Sequence, residues 1–237
     1  MKKYFITATD TDAGKTFVSC ALAYAFAKAE KKIASYKPVA AGCEVIEGVL
    51  VNEDALLLSQ FSNCDQTINE INPICLKEPI APHIAAANVN RKISFDEISQ
   101  GYDKILSLRA DIILTEGAGG WRLPLNDDKK SPLYLSDFVV NTKQDVILVV
   151  NMKLGCLNHA LLTYQAIGID GLNCVAWVAN CANEEEMLNL DSNIASLEQL
   201  LPIPKIAQIA FDHDSTINLH DKICNAANCI DLSTLLT

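Results

Sequence analysis

Thr9-Asp10-Thr11-Asp12-Ala13-Gly14-Lys15-Thr16 follows the apolar run Tyr4 to Thr9 and opens a segment, Lys15 to Lys31, in which Val18, Leu22, Ala25 and Phe26 recur at helical spacing. Strand, tight loop and helix in that order are the setting of a phosphate-binding P-loop. Backbone N–H groups of such a loop and of the helix N-terminus can surround phosphate oxygens, Lys15 can reach the β- and γ-phosphates, and the Thr16 hydroxyl can bind Mg²⁺. The usual pattern has a glycine at the position of Thr9, with Ala8 before it here. A bare Gly-Lys-Thr after a strand also recurs by chance, so the tripeptide does not decide the matter alone.

Outward from the loop, Lys32 to Tyr36 reads as a second strand and Asp54 to Phe61 as a helix. A polar stretch with Pro73, Pro79 and Pro82 follows. Ser94 is a helix N-cap with Glu97 in capping-box position, and that helix runs to about Arg109. Asp111 to Thr115, Asp145 to Val150, Leu172 to Ala179 and Lys205 to Ala210 read as strands, with helices over Leu157 to Ile167 and Glu184 to Leu201. Near-continuous apolar strands alternating with helices are what a parallel sheet covered on both faces requires. The expected fold is therefore an α/β three-layer sandwich of P-loop NTPase type, with a mostly parallel central sheet, in one domain over residues 1–237. The loop from Asn126 to Ser131 is polar and expected to be mobile.

Half the residues are hydrophobic and 20% are charged, enough apolar chain for a substantial core and too much for disorder or a coiled coil. Nineteen Lys and Arg against 29 Asp and Glu leave a net charge of −10, which argues against a nucleic-acid partner. Met1 to Asp10 lacks the apolar core of a signal peptide, and no eighteen consecutive apolar residues occur. A cytoplasmic protein that does not engage a membrane is the expectation. Nine cysteines without a C-x-x-C pair read as small buried hydrophobes in a reducing compartment. Cys224 and Cys229 lack a histidine cluster to complete a metal site.

Polar groups fall repeatedly just past the carboxyl ends of the expected strands: the P-loop, then Lys37, Glu116, Asn151 and Asn180. In open parallel sheets that edge is where ligands bind. Glu116 stands where a second acidic metal partner of a P-loop enzyme would stand, and Gly117-Ala118-Gly119-Gly120 would let backbone approach a phosphate; the plainer alternative is a strand-end turn with a solvated glutamate. Asp54 alone reads sooner as a first-turn helix carboxylate than as a ligand. Lys37 would by default be a surface lysine, although Pro38 after it argues for fixed extended geometry.

Taken in order, Thr9 to Thr16, Tyr36-Lys-Pro-Val-Ala40, Asn52-Glu-Asp-Ala-Leu56, Glu78-Pro-Ile-Ala-Pro-His83, Glu116-Gly-Ala-Gly-Gly-Trp121, Lys153-Leu-Gly-Cys-Leu-Asn-His159 and Trp177-Val-Ala-Asn180 resemble the dethiobiotin synthetase family. The resemblance runs from the first strand to about residue 211. It implies a ligase of biotin biosynthesis that makes the ureido ring of dethiobiotin from 7,8-diaminononanoate, CO₂ and MgATP. A carbamate formed on the diamine would be phosphorylated to a mixed anhydride and then attacked by the second amine.

By the same resemblance Lys15, Lys37 and Thr11 are catalytic, and Thr16, Asp54 and Glu116 hold Mg²⁺. ATP would contact Asp12 to Phe17 (Asp12, Ala13, Gly14, Lys15, Thr16 and Phe17) and Asp54. Further ATP contacts would come from Glu116, Gly117, Ala118 and Gly119, with Asn180, Cys181, Ile209, Ala210 and Phe211 on the base side. The diamine would meet Thr11, Lys37, Ala41 and Pro79. Its carboxylate would meet Leu154, Gly155 and Asn158 at a subunit interface, which implies a homodimer. A helix starting near Leu157 would offer free N–H groups there, although Leu157, Ala160 and Leu161 also suit an ordinary buried helix. Ala8 stands where the family usually has glycine and Ala41 where a serine often touches the diamine. Cys181 takes the place of an acidic residue common in some members, so base recognition falls on Asn180 and on backbone near Ile209 to Phe211.

Two other readings compete. A cobyrinic-acid-type synthetase usually carries a glutaminase-like domain for which 237 residues leave no room. A chromosome-partitioning ATPase typically has a lysine at the start of its P-loop, where this chain has Ala8 and Thr9, and needs basic surface for DNA, which the −10 charge opposes.

Overall fold

The computed structural model describes residues 1–185 and 187–237. Strand β1 (Lys2–Ala8) leads through the loop into helix α1 (Lys15–Lys28), followed by β2 (Ile33–Tyr36). A peripheral stretch then holds β3 (Val39–Ala41), β4 (Glu44–Ile46), β5 (Val49–Val51), α2 (Glu53–Phe61), α3 (Ile68–Ile71), β6 (Ile74–Leu76) and α4 (Pro82–Asn88). The chain returns to regular alternation with α5 (Phe95–Ser107), β7 (Ile112–Glu116), α6 (Leu135–Thr142), β8 (Asp145–Asn151), α7 (Cys156–Ile169), β9 (Cys174–Asn180), α8 (Leu190–Leu200) and β10 (Lys205–Ile209). Helices α9 (Leu219–Ala227) and α10 (Ser233–Leu236) close it.

Among the described residues the main sheet has the order β10-β9-β8-β1-β7-β2, and every neighbouring pair is parallel. Parallel pairing puts all the strand carboxyl ends on one edge. The strands are buried on both faces, and alternation sorts their side chains between two cores. Phe5, Ile113, Val146, Leu148 and Val150 face Ile98, Tyr102, Phe138, Ala160 and Leu197 of α5 to α8. Tyr4, Ile6, Leu114, Ile147 and Val149 face Leu22, Phe26, Leu58 and Ile223 of α1, α2 and α9. This is the three-layer arrangement expected from the apolar runs. No described helix is long and apolar enough to cross a membrane.

The expected strands and most expected helices lie within three residues of their observed ends. Helix α1 stops at Lys28, short of Lys31, because Glu30 takes the left-handed conformation (φ 59°). The N–H groups of Glu30 and Lys31 then donate to the carbonyls of Ala27 and Phe26, the bonding of a Schellman cap. At α5 the capping box is only half formed: Ser94 accepts from the Glu97 N–H, whereas the Glu97 carboxylate turns to Arg91 at 2.6 Å. Helix α8 begins at Leu190, preceded by Asn189 in the left-handed region (φ 54°), and not at Glu184. Glu186, inside the expected helix, lies outside the described residues.

The peripheral stretch is where sequence patterning misleads. Strands β3 and β6 form a separate parallel pair, and β4 and β5 an antiparallel hairpin turned by Glu47 (φ 50°) and Gly48 (φ 82°). The loop from Asn126 to Ser131 is exposed beyond its first residue, and Asn126 spans it, donating to Ser131 O and accepting from Leu133 N at 3.0 Å each. Cys20, Cys43, Cys156 and Cys174 are buried as expected, but Cys64, Cys75, Cys181 and Cys224 are only half-buried and Cys229 is exposed. No group of three or more His, Cys, Asp or Glu side chains is placed to hold a metal among the described residues.

Candidate active site

The first strand ends at Ala8, and the loop leaving it is anchored across the sheet: Thr9 N–H donates to Val149 O at 3.0 Å, and its hydroxyl accepts from Asn151 N at 3.2 Å. The loop closes on Gly14, the α1 N-cap, with φ 77°. Only glycine suits this position, because a Cβ there would also lie 2.3 Å from the Asn180 side-chain nitrogen. Asn180, the last residue of β9, is buried and donates from Nδ2 to Ala13 O at 2.8 Å, bracing the loop from behind.

Lys15 starts α1 and is buried; its ammonium reaches back over the loop toward Asp10 O at 3.4 Å. Burial lowers its pKa, and neighbouring Lys37 pushes the same way while Glu116 opposes. Such a cation is poised for an anion.

Lys37 and Glu116 meet because their strands are neighbours. Tyr36 of β2 pairs with Thr115 of β7, so the next residue on each strand falls side by side at the sheet edge. The Lys37 ammonium lies 2.5 Å from Glu116 Oε1 and 2.6 Å from Asp54 Oδ2. Burial alone would lower the Lys37 pKa, but the two carboxylates outweigh it and raise the value above the ordinary lysine range. For Asp54 burial pushes up and Lys37 pulls down, and the pull wins. The Thr16 hydroxyl donates to the same Glu116 Oε1 at 2.8 Å. Asp54 is delivered from the first turn of α2, whose N-cap Asn52 accepts the Asp54 N–H at 3.1 Å.

These groups open on a cleft of about 810 Å³. Its polar lining is Thr11, Asp12, Lys15, Thr16, Lys37, Asp54, Glu116 and Arg122, with Gly14, Ala118 and Gly119 beside them. Ala40, Ala41, Pro79, Ile80, Ala81 and Pro82 form apolar wall with Leu123 and Pro124. The structure therefore gathers the expected loop, lysine and carboxylate residues, with Ala41 and Pro79, around one space.

Other expected residues lie elsewhere. Ala13 is buried under the loop, Phe17 packs on the α1 side of the sheet, and Gly117 donates its N–H to Ile6 O. Cys181 N–H donates to Ile209 O at 2.9 Å, which places Cys181, Ile209, Ala210 and Phe211 together beyond Asn180 but outside the cleft lining. Leu154, Gly155 and Asn158 are exposed at the start of α7, Leu154 at 94%.

Three features escaped the sequence reading. Arg122 lines the cleft one residue past the quoted Glu116 to Trp121 segment. Lys153 pairs with Asp10 at 2.9 Å, tying the loop to the segment after β8; 143 positions separate them, and no local pattern signals such a pair. Asn72 donates to Lys37 O at 2.7 Å and fixes the lysine backbone.

Residues 2–217 match a family profile described as an AAA domain. A protein of Alteromonas mediterranea named ATP-dependent dethiobiotin synthetase BioD is 51% identical over 217 residues, covering 89% of this chain and 93% of its own length. A Tolumonas auensis protein of the same name is 40% identical over 236 residues, covering 99% of each. Among solved structures the Aquifex aeolicus MinD cell division protein (TM-score 0.55, 14% identity, 96% of this chain and 95% of that one) shares the fold. So does a ParA family ATPase of Chlorobium tepidum (TM-score 0.54, 14% identity, 98% and 92%). At that identity the likeness speaks to fold alone, whereas the identity to the named relatives extends along nearly the whole sequence. On that identity, the chain belongs to the ATP-dependent dethiobiotin synthetase family.

Proposed function

We propose that this chain closes the ureido ring of dethiobiotin, converting 7,8-diaminononanoate, CO₂ and ATP to dethiobiotin, ADP and phosphate. The observation that carries the reading is the buried Lys37 ammonium held between Asp54 and Glu116, in one cleft with Lys15 and Thr16. In the reaction one amine nitrogen bonds to the carbon of CO₂ and loses a proton, giving a carbamate. A carbamate oxygen then bonds to the γ-phosphorus as the bond to ADP breaks. The second amine finally attacks the carbonyl carbon and gives up a proton, and phosphate leaves.

Negative charge accumulates on the carbamate and on the transferring phosphoryl group, and fixed cations in a shielded cleft lower that barrier most. Lys15 takes the phosphate side, and Lys37 the carbamate and its junction with the γ-phosphate. Loop N–H groups from Asp12 to Thr16, with Thr11, orient both anions. The apolar wall of Ala40, Ala41 and Pro79 suits the aliphatic chain of the substrate.

The site also fits Mg²⁺. Lys15 and Lys37 balance Asp54 and Glu116 before any phosphate arrives, and Glu116 Oε2 is buried without a hydrogen-bond partner among the described residues. Thr16, Asp54 and Glu116 are the oxygen donors a hard cation prefers, and since only two of these three are carboxylates, nucleotide oxygens would complete the shell. When bound, the ion neutralises charge on the β- and γ-phosphate oxygens.

The exposure of Leu154, Gly155 and Asn158 supports a homodimer in which they serve the partner's substrate carboxylate. The reading completes with residues 1–237 acting as one domain, in the cytoplasm, with Asn180, Cys181 and the Ile209 to Phe211 backbone near the base. Purified protein incubated with the diamine, bicarbonate and MgATP should yield the cyclic urea by mass spectrometry. Failure to form it, or its formation without ATP, overturns the reading.

A further inference from the structure

We propose that Lys153 is a positioning residue of the ring-closure reaction: it holds Asp10, and through Asp10 the Thr11 corner of the phosphate loop, where the carbamate is received. The carbamate's place at Thr11 rests on the proposed function, whereas the strut from Lys153 to Thr11 is a matter of geometry.

The two ends of the loop are held differently. Its far end turns at Gly14 and is braced by Asn180 on Ala13 O, so the entry to α1 is fixed without help from α7. At the near end Thr9 is tied to β8, but the next peptide depends on a side chain: Thr11 N–H donates to Asp10 Oδ1 at 2.8 Å. The other oxygen of that carboxylate, Oδ2, accepts from Lys153 Nζ at 2.9 Å. With one oxygen on the backbone and the other on a cation, the carboxylate cannot turn without breaking a bond. Lys153 is itself a firm base. Its N–H donates to Asn151 O and its carbonyl accepts from Cys156 N–H, both at 2.9 Å, in the turn that leads from β8 into α7.

The Asp10 carboxylate reaches the cleft in two ways. A Cβ on Gly119 would stand 3.8 Å from Thr11 Oγ1, so the Thr11 hydroxyl lies beside the glycine run that lines the cleft. Rotation of the carboxylate would release the Thr11 N–H and let that hydroxyl drift. The second effect is charge. Asp10 and Asp12 flank Thr11 at a place that must receive anions, and Lys153 cancels the first of them, holding its carboxyl below the usual carboxylate range. Without Lys153, a loose and uncompensated carboxylate would stand next to the incoming carbamate and repel it.

As a stabiliser the pair is weak, because its side chains are 37% and 47% exposed and solvent screens them. As a positioning device it is strong, since misplacing a reacting group by about 1 Å can cost up to about a hundredfold in rate. Rate should therefore fall where stability does not.

The test compares full-length Lys153→Met, Lys153→Arg, Asp10→Asn and the Lys153→Met, Asp10→Asn double variant with the wild type. Lys153→Met should lower kcat by about tenfold, with the KM for ATP changed by less than about twofold and the melting temperature by less than about 3 °C. Loosening of the whole loop would instead raise the ATP KM as well. Lys153→Arg, which returns a cation to Asp10 Oδ2, should recover most of the loss. The double variant should lose no more than the worse of its two single variants, because the lysine acts through the aspartate. By NMR the Thr11 amide should exchange with solvent several-fold faster in Lys153→Met, while the Val18 amide, bonded to Gly14 O, stays unchanged. Unchanged kcat, a rise in ATP KM that matches the fall in kcat, no recovery in Lys153→Arg, or single losses that add in the double variant would each overturn the proposal. A wild-type protein that forms no cyclic urea refutes the proposed function instead, and the Thr11 exchange rate then decides whether Lys153 holds the loop.

Discussion

The ammonium of Lys37 and the carboxylate of Glu116 sit 2.5 Å apart with side chains only 4% and 1% exposed, at the carboxyl ends of two neighbouring strands. Removing two charges from water is costly, and here each offsets the other while Asp54 and Thr16 add hydrogen bonds. Loss of either partner strands the other.

Lys37→Gln should lower kcat by about a hundredfold, the scale seen when one preorganised donor to a developing anion is lost, with nucleotide affinity changed by less than about threefold. The same variant leaves Asp54 and Glu116 without the cation they share and should lower stability by about 3 kcal/mol in urea denaturation. Equal losses in kcat and ATP affinity would mean that Lys37 serves the nucleotide instead.

Asp54 has its pKa lowered by Lys37 against the opposing effect of burial, so its contribution to stability is present above the ordinary aspartate range and disappears as pH falls through the lower folded value. Asp54→Asn should be less stable than wild type at pH 7, and the gap should narrow below about pH 4. A gap unchanged with pH would dissociate Asp54 from the ion pair. At pH 7 both Asp54→Asn and Glu116→Gln should require more Mg²⁺ for half-maximal activity.

Gly14→Ala meets two separate obstacles, a positive φ and the Asn180 amide. The backbone part should cost roughly 1 to 3 kcal/mol, with the contact adding to it. The double variant Gly14→Ala with Asn180→Ala should recover the contact part and leave the backbone part. Additive losses in a thermal-unfolding cycle would show that the two positions do not touch.

Lys15 is a buried cation whose pKa burial depresses, so its replacement relieves strain in the free protein. Lys15→Ala should melt at or slightly above the wild-type temperature while turnover is nearly abolished. Near-normal turnover would refute phosphoryl transfer at this loop.

Asn180 spends its Nδ2 on Ala13 O, which leaves less of its amide to read a nucleobase. GTP and CTP should therefore support turnover with kcat/KM within about tenfold of ATP, a gap of roughly 1.4 kcal/mol. A preference for ATP above a hundredfold would locate base recognition in groups beyond Asn180, Cys181 and the Ile209 to Phe211 backbone.

The sheet was legible because its strands are buried on both faces, so Val146 to Val150 reads as one apolar run, and because long helices such as α1, α5 and α7 separate them. Lys37, Glu116 and Asn180 were legible for a related reason, since parallel pairing sends every strand end to the same edge. Strands β3 to β6 were not, because three residues show no periodicity, and Val45, Ile46 and Val49 are apolar yet exposed. Helix α6 was missed within Leu135 to Thr142, whose consecutive Val139 and Val140 favour a strand by propensity, while packing of Phe138 and Val139 on the sheet makes a helix. The bracing of the site by Asn72, Asn52 and Lys153 joins residues from separate segments, and such contacts leave no trace in local spacing.

Strand β1 lies between β7 and β8, and its register partners begin only at Ile112 and Asp145, far later in the chain. At about 5 to 20 residues per second, ribosomal synthesis leaves this apolar strand without a sheet neighbour for several seconds, and the loop behind it cannot take its final form before then. Folding of this chain is thus dominated by contacts between distant segments, and it exposes an unpaired, hydrophobic N-terminal strand while the rest is made. Substitutions in β7 and β8 should therefore reduce yield through aggregation of incomplete chains before they alter the finished cleft.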